Sequence, residues 1–306
     1  MAHLSFLMTT KDVEPYVREM LRSLQSQAFR DWELVVVDDH STDGTAALLE
    51  NEAARDPRLR VLRNPERGQV QALNHGFGAC SGRLLKVVDG ADFLPGSFSG
   101  HLDRLAGEEA VYHDAYLFKE GKNKLRPFRV GPRFARMDLA ESLRRIMISP
   151  PRWAWTFSRG VAERIFPLPP DLPSPHEDVY LGLKLKQSSR IAYVPLPLYV
   201  YREKPGQFYG GLFNFSSGVV TWRAKAMLRV IELIAAGSVS GTGEAVEDLL
   251  APAKAYYELL AEDRLPLTKI LGAEIEAGDK FRVALIRKAP ALASFMSRRR
   301  ALRRRA

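Results

Sequence analysis

Three short carboxylate clusters, each next to an apolar run, are the residues here whose types and spacing could do chemistry. The first follows Val35-Val36-Val37 and reads Asp38-Asp39-His40-Ser41-Thr42-Asp43-Gly44-Thr45. Carboxylates at a strand end can accept hydrogen bonds from a base N–H or from ribose hydroxyls. The same pattern also suits an ordinary turn in which Asp43 caps the next helix. Neither a GxGxxG nor a Walker pattern is present, so this is not a glycine-rich phosphate cradle. The second cluster is Asp89-Gly90-Ala91-Asp92, behind Val87-Val88. Two neighbouring carboxylates repel unless a cation lies between them, and a hard divalent ion that also touches a diphosphate would remove the conflict. A turn with a helix cap fits equally well. The third, His176-Glu177-Asp178, precedes the apolar pattern Val179-Tyr180-Leu181. Glu177 or Asp178 could cap that helix, or one could act as a general base toward an acceptor hydroxyl. His176 could be a third metal ligand; a loop histidine is the favoured reading.

These clusters need a scaffold that delivers them to one edge. Apolar runs at Leu4–Met8, Trp32–Val37, Arg60–Leu62 and Leu84–Val88 read as strands, and their near-continuous apolar character is that of buried parallel strands. Between them, Pro15–Gln27, Thr45–Glu52 and Gln69–Cys80 have helical spacing. Alternation of this kind implies right-handed crossovers and a mostly parallel sheet with helices on both faces. Ligands in such sheets bind outside the carboxyl ends of the strands, where the first two clusters fall. Further on, Ala110–Phe118, Trp153–Phe157, Ile191–Val194 and Tyr199–Tyr201 read as strands. Residues 121–132 read as a loop, and Leu139–Ile148 and Val179–Lys186 as helices. After about residue 213 the pattern is helical, at Val219–Ala235, Ala245–Ala261 and Phe281–Ala291. The expected organisation is an α/β domain over 1–212, with a helical extension over 213–306.

Composition bounds the class. Of 306 residues, 46% are hydrophobic and 26% charged, the values of a folded globular chain rather than a disordered one. A single cysteine, Cys80, excludes an intramolecular disulfide and a cysteine-based metal site. The first residues lack the pattern of a secretion signal, and no run approaches the roughly 20 apolar residues that span a bilayer. A cytoplasmic protein is expected. The net charge of +9 is concentrated at the end: beyond Asp279 there are only basic charges, ending in six arginines between Arg298 and Arg305. Such a tail is attracted to anionic phospholipid or nucleic acid, or is simply a solvated end. Interspersed Phe281, Val283, Leu285, Ile286, Leu292, Phe295 and Met296 would suit an interfacial segment over 280–306, peripheral on the inner face of a membrane.

The residues together resemble glycosyltransferase family 2, whose members have the GT-A fold. Asp38-Asp39-His40-Ser41-Thr42-Asp43-Gly44-Thr45 is similar to the family signature VDDGSTDGT, with His40 in place of the usual glycine. Asn64-Pro65-Glu66-Arg67-Gly68-Gln69 and Ala72-Leu73-Asn74-His75-Gly76 resemble its N-x-G and A-x-N-x-G stretch. Ser81-Gly82-Arg83 resembles the segment before its metal-site strand. Asp89-Gly90-Ala91-Asp92 falls at its D-x-D-D, His176-Glu177-Asp178 at its E-D, and Tyr199-Val200-Tyr201-Arg202 at its Y-R ending. The six matches keep the family's order over residues 4–206.

The resemblance implies a donor half over 1–106, an acceptor half over 107–212, and inverting transfer of a sugar from a nucleotide sugar, most commonly a UDP-sugar, to a glycan or lipid-linked hydroxyl. Thr9, Asp38, Asp39, Asp89 and Arg202 would bind the nucleotide. Asp178 would be the catalytic base, with Glu177 positioning the acceptor or the helix end. A divalent ion, Mn or Mg, would sit on Asp89, Asp92 and His176. Two departures bear on this. Ala91 stands where the family has a metal-binding acid, and Met8-Thr9-Thr10-Lys11 replaces its P-x-Y-N opening. The first favours an alternative, a catalytically silent nucleotide-binding subunit. A nucleotidyltransferase would share the metal and nucleotide but not the His-Glu-Asp and Tyr-Arg segments. A nucleic-acid partner does not account for the acidic strand ends and is not expected. Trp153, Trp155, Phe157, Tyr209 and Phe213 could stack on acceptor sugars, though core packing is the commoner use of each. Self-association through 213–277 is the remaining partner reading.

Overall fold

The computed structural model describes residues 3–121, 124–145, 149–174, 176–204, 216–236, 245–262, 265–273, 275–288, 290 and 293. By backbone contacts the chain divides into two compact units, Met1–Arg136 with Ser149–Arg202, and Met137–Ile148 with Glu203–Ala306.

The first unit is a mixed α/β unit around a central, mostly parallel sheet. Its first half alternates β1 (Leu4–Thr10), α1 (Glu14–Gln25), β2 (Trp32–Asp38), α2 (Thr45–Ala53), β3 (Leu59–Arg63), α3 (Gln69–Ala79) and β4 (Leu84–Asp89). Then follow α4 (Leu102–Ala106), β5 (Ala110–Lys119), β6 (Leu125–Phe128), α5 (Arg133–Arg136), β7 (Trp155–Ser158), α7 (Arg159–Ile165), α8 (Glu177–Ser188) and β8 (Ile191–Glu203). Within this span α6 (Leu139–Arg144) belongs to the second unit. The sheet runs β3-β2-β1-β4-β7-β5-β6, with β8 paired to β5. Strands β1 to β4 are parallel, and β7, β5 and β6 add antiparallel pairings.

The parallel strands form where expected because Leu4, Leu34, Val35, Val36, Val37, Val87 and Val88 are buried, which rewards the β-branched runs. Helix α1 buries Val17, Met20, Leu21 and Leu24 at helical spacing. Two expectations are corrected. The stretch read as a loop over 121–132 contains β6, whose Pro127 is tolerated because the strand ends the sheet and needs no donor on its outer side. The two strands read at 191–194 and 199–201 are one strand, β8, which carries Pro195 and Pro197 through it. Trp153, Trp155 and Phe157 are core residues, and Trp153 stacks on Tyr199 at 5.0 Å. Tyr209 and Phe213 lie outside the described residues.

The second unit is helical: α6, α9 (Ser217–Ala236), α10 (Val246–Ala261), α11 (Leu267–Gly272) and α12 (Ala277–Lys288). Helix α10 packs on α9, α6 and α12, burying Leu249, Leu250, Tyr256, Tyr257, Leu259 and Leu260. Helix α12 is amphipathic, but Val283 and Ile286 are buried inside this unit, whereas Phe281 is 63% exposed. Most of the arginine-rich end lies outside the described residues. No helix among the described residues is long and apolar enough to cross a membrane.

Candidate functional site

The register of the parallel strands brings the first two acidic clusters to one sheet edge. Thr9 pairs across to Val37 on one side and Asp89 on the other, and Thr10 pairs to Asp38. The carboxyl ends of β1, β2 and β4 are therefore adjacent, the position at which open α/β sheets bind ligands.

On the β2 side the acids build the turn that they border. Asp38 accepts from Ser41 N at 3.1 Å and Ser41 Oγ at 2.5 Å. Asp39 Oδ1 accepts from Asn64 Nδ2 at 2.7 Å and from Gly68 N at 2.9 Å. This ties the end of β2 to the turn that opens α3, where Gly68 has φ +133°, a value that L side chains rarely adopt. Asp43 accepts from Thr45 N and from Glu14 N, thereby serving two helix starts at once. The N-cap of α2 is Gly44, without a side-chain cap bond, so the reading of Asp43 as the cap is corrected. Its carboxylate reaches the first N–H of each helix from one residue before the α2 cap and from across the turn. His40 occupies the left-handed region at φ 58°, the backbone state that favours glycine at this position.

On the β4 side, Asp89 and Asp92 point to different surroundings. Asp92 is 2% exposed, and its Oδ1 accepts from Arg202 N at 2.8 Å. The Tyr199 hydroxyl accepts from Asp89 N at 2.9 Å. Burial, followed by the charges of Asp92 and Asp89, holds the Tyr199 phenol well above its ordinary pKa. Arg202 is itself buried. Its Nε donates to Ala91 O at 2.8 Å, its Nη2 donates to Glu19, and its guanidinium lies within about 5 Å of the Tyr16, Phe93 and Phe118 rings. These partners make it a brace behind the 89–92 turn.

The charged centre is a residue that the motifs did not mark. Arg152, in a single helical turn between Pro151 and β7, pairs with Asp89 through Nη2 and with Glu177 through Nη1. In the amide orientation that satisfies both ends of Gln69, that side chain donates to Ser174 Oγ at 2.7 Å and accepts from Arg152. One guanidinium thus joins the end of β4, the start of α3 and the start of α8. Burial works against its charge, but Asp89 and Glu177 outweigh burial and raise its pKa. Its side chain keeps 14% exposure, against 1% for Glu177. Burial raises the Glu177 pKa even with Arg152 beside it. Asp178, partly exposed, is pushed up to about 7 by burial and then by Glu177, with Arg152 opposing. Its position in the first turn of α8 places a carboxylate where the helix dipole favours one. His176 caps that helix through its backbone, its carbonyl accepting from Val179 N at 3.2 Å. Among the described residues no three His, Cys, Asp or Glu side chains converge as a metal site. Asp89, Asp92 and His176 are therefore not gathered into one cluster.

The model of "Glycosyl transferase family 2" matches residues 5–166, more than half of the chain, from the second residue of β1 through β7. The chain belongs to glycosyl transferase family 2. Among curated relatives, the "Uncharacterized glycosyltransferase EpsJ" of Bacillus subtilis is 24% identical over 213 residues, covering 66% of this chain and 61% of that one. The "GalNAc(5)-diNAcBac-PP-undecaprenol beta-1,3-glucosyltransferase" of Campylobacter jejuni is 28% identical over 125 residues, 40% of each chain. The chain thus spans less than two thirds of either relative's length. Among solved structures, Staphylococcus aureus TarS 1-349 in complex with UDP-GlcNAc superposes with a TM-score of 0.57 at 16% identity, over 96% of this chain and 89% of that one. Mannosyltransferase PcManGT of Pyrobaculum calidifontis, in complex with GDP-Man and Mn2+, gives 0.59 at 16% identity, over 96% and 86%. At these identities the likeness establishes the shared GT-A fold.

In this family 2 chain the structure brings Asp89, Glu177 and Asp178 around Arg152, and sets Thr9 and Asp38 on the same strand-end edge. Asp39, Asp92, Arg202 and His176 serve neighbouring turns. The missed residue, Arg152, carried one faint signal: a charge in the segment Pro150-Pro151-Arg152-Trp153 that leads into a buried strand.

Proposed function

We propose that the chain is an inverting glycosyltransferase that moves a sugar from a nucleotide sugar to an acceptor hydroxyl. A UDP-sugar is the expected donor, and a glycan or a lipid-linked glycan the expected acceptor. The observation that carries this reading is the pairing of Asp178, with its pKa near 7, and the adjacent Arg152–Asp89–Glu177 group at the strand ends of a family 2 fold. The nucleotide-sugar complexes of TarS and PcManGT support the donor class, and the undecaprenol-linked substrate in the Campylobacter relative's name supports the acceptor class.

In this reading residues 1–106 form the donor half, 107–212 the acceptor half and 213–306 an accessory region. The basic segment over 280–306 would bring the enzyme to the inner face of an anionic membrane. Asp38 and Thr9 border the nucleotide, and Asp39 shapes the turn beside it. Asp178 removes the proton of the acceptor hydroxyl as that oxygen attacks the anomeric carbon. The bond from that carbon to the diphosphate breaks, and its electron pair stays with the leaving diphosphate. One displacement with one base inverts the centre and needs no covalent enzyme intermediate. A pKa near 7 suits a base that must be ionised yet basic at neutral pH.

A divalent ion is the counter-charge that the resemblance implies, and PcManGT holds Mn2+ with GDP-Man. The donors here do not fit one. Ala91 offers a methyl group where an acid is expected, Asp92 is buried against Arg202 N, and Asp89 is paired with Arg152.

The test is release of nucleoside diphosphate from a panel of UDP-, GDP- and dTDP-sugars. Turnover of one donor supports the reading. Binding of a nucleotide without any turnover would favour the silent subunit that Ala91 suggests.

A further inference from the structure

Two carboxylates from separate elements, Asp89 at the end of β4 and Glu177 at the start of α8, meet at one site, and the ion between them is the Arg152 guanidinium. That is the position at which charge repulsion asks for a cation. Arginine suits it: a planar fork with five donors can hold two carboxylates and still present N–H groups elsewhere. Its charge persists at any pH the protein meets, because the two acids hold it protonated. The group is pre-arranged by independent contacts. Glu177 is buried at 1% exposure, Gln69 accepts from the guanidinium, and Pro151 starts the turn that carries it. Meanwhile the residues that would hold an inorganic cation are dispersed. Ala91 is apolar, and Asp92 is buried, accepting from Arg202 N.

We infer that Arg152 is the cation of the donor site: it supplies the positive charge opposite the donor's diphosphate, so that sugar transfer proceeds without a divalent ion. This rests on the nucleotide-sugar reading above. As the anomeric C–O bond breaks, negative charge grows on the departing diphosphate. A fixed guanidinium stabilises it as a metal would, at no cost in reorganisation. The acceptor proton still goes to Asp178, so atoms and charge balance without a further reagent. Asp89 and Glu177 act as positioning residues that hold the fork.

The test titrates UDP and GDP calorimetrically into the full-length wild-type protein, once with a chelator and once with Mn2+, and measures turnover of the matching nucleotide sugar under both conditions. The expected result is binding and turnover of one nucleotide class that change less than about twofold between the two conditions. Arg152→Met should lower turnover by about a hundredfold or more, the scale seen when one charge-stabilising donor is removed. Arg152→Lys should recover part of the loss. Because Arg152→Met strands Glu177, the double variant R152M/E177Q serves as the control for folding. It should fold, by circular dichroism, and remain as slow as R152M with Mn2+ present. Loss of wild-type binding or turnover under chelator, restored by Mn2+, overturns the inference and leaves the transferase reading standing. Failure of both nucleotides to bind under either condition overturns the nucleotide-sugar reading and the inference with it. Turnover of the double variant at the wild-type rate without metal also overturns the inference.

Discussion

Arg152 pairs with Glu177, an acid 1% exposed, immediately before the partly exposed carboxylate of Asp178. A buried acid whose partner is removed is left without compensation, whereas removing the acid leaves Arg152 with Asp89 alone. Breaking a buried pair of this kind typically costs about 3–5 kcal/mol. Glu177→Ala should destabilise the fold in urea unfolding by less than that, because Arg152 keeps Asp89 and Gln69. Glu177→Gln, whose amide oxygen can still accept from Arg152, should cost clearly less. Equal losses for the two variants would show that the charge, which both remove, carries the contribution, and that the packing and hydrogen bond a glutamine keeps add nothing.

The proposed base sets the pH dependence. Asp178 must be ionised to take a proton, and its pKa is raised to about 7 by burial and by Glu177. Below that value the rate should fall about tenfold per pH unit, because the ionised fraction falls in that ratio. Above it the rate should level. A pH–rate profile flat from pH 5 to 8 would remove Asp178 from the role.

A buried lysine near the site gives a stability signature of its own. Lys86 on β4 is fully buried. It donates to Trp153 O at 2.9 Å and to His113 Nε2 at 2.8 Å, and it lies near the Phe98 and Tyr199 rings. His113 Nδ1 donates to Asp114 O, which leaves Nε2 as the acceptor. Burial lowers the Lys86 pKa from 10.5 to about 7. Between those values the unfolded chain holds the proton and the folded chain does not, so stability rises with pH. The slope from this one group approaches at most about 1.4 kcal/mol per pH unit. Lys86→Met should flatten the rise between pH 7 and 10 in denaturant titrations.

His40 tests the backbone reading of the first motif. Its φ of 58° costs an L-residue about 1–2 kcal/mol, and glycine would regain that while losing about 0.5–1 kcal/mol to unfolded-state freedom. His40→Gly should therefore stabilise the protein by up to about 1.5 kcal/mol. A destabilised variant would mean that the imidazole makes a contact worth more than the strain.

Much of this was legible in the residues themselves. The runs ending in Asp38 and Asp89 are buried parallel strands, and burial on both faces imposes the continuous apolar pattern that made them readable. That Asp43 serves the start of α2 could be read because its bond to Thr45 N is local, although the cap position itself is Gly44. What escaped depends on tertiary structure. Arg152 is recognisable only once β4 and α8 are side by side, and Asp92 and Arg202 turn out to brace each other across 110 residues of sequence. Pro195 and Pro197 interrupt the period, so the residues alone read as two strands, whereas in the fold they are one strand, β8, paired with β5. The apolar residues of α12 read in sequence as a membrane-facing set, yet Val283 and Ile286 are part of the helical unit's own core.

The central claim is transfer from a nucleotide sugar with Asp178 as base. It is tested most directly by following nucleoside diphosphate release from a panel of nucleotide sugars with wild type and Asp178→Asn, alongside calorimetric binding of the same nucleotide. The account predicts one donor that both proteins bind and that only the wild type turns over, the variant being slower by about 10²–10⁴-fold. Turnover by Asp178→Asn at the wild-type rate, or a panel in which no nucleotide binds either protein, would contradict it.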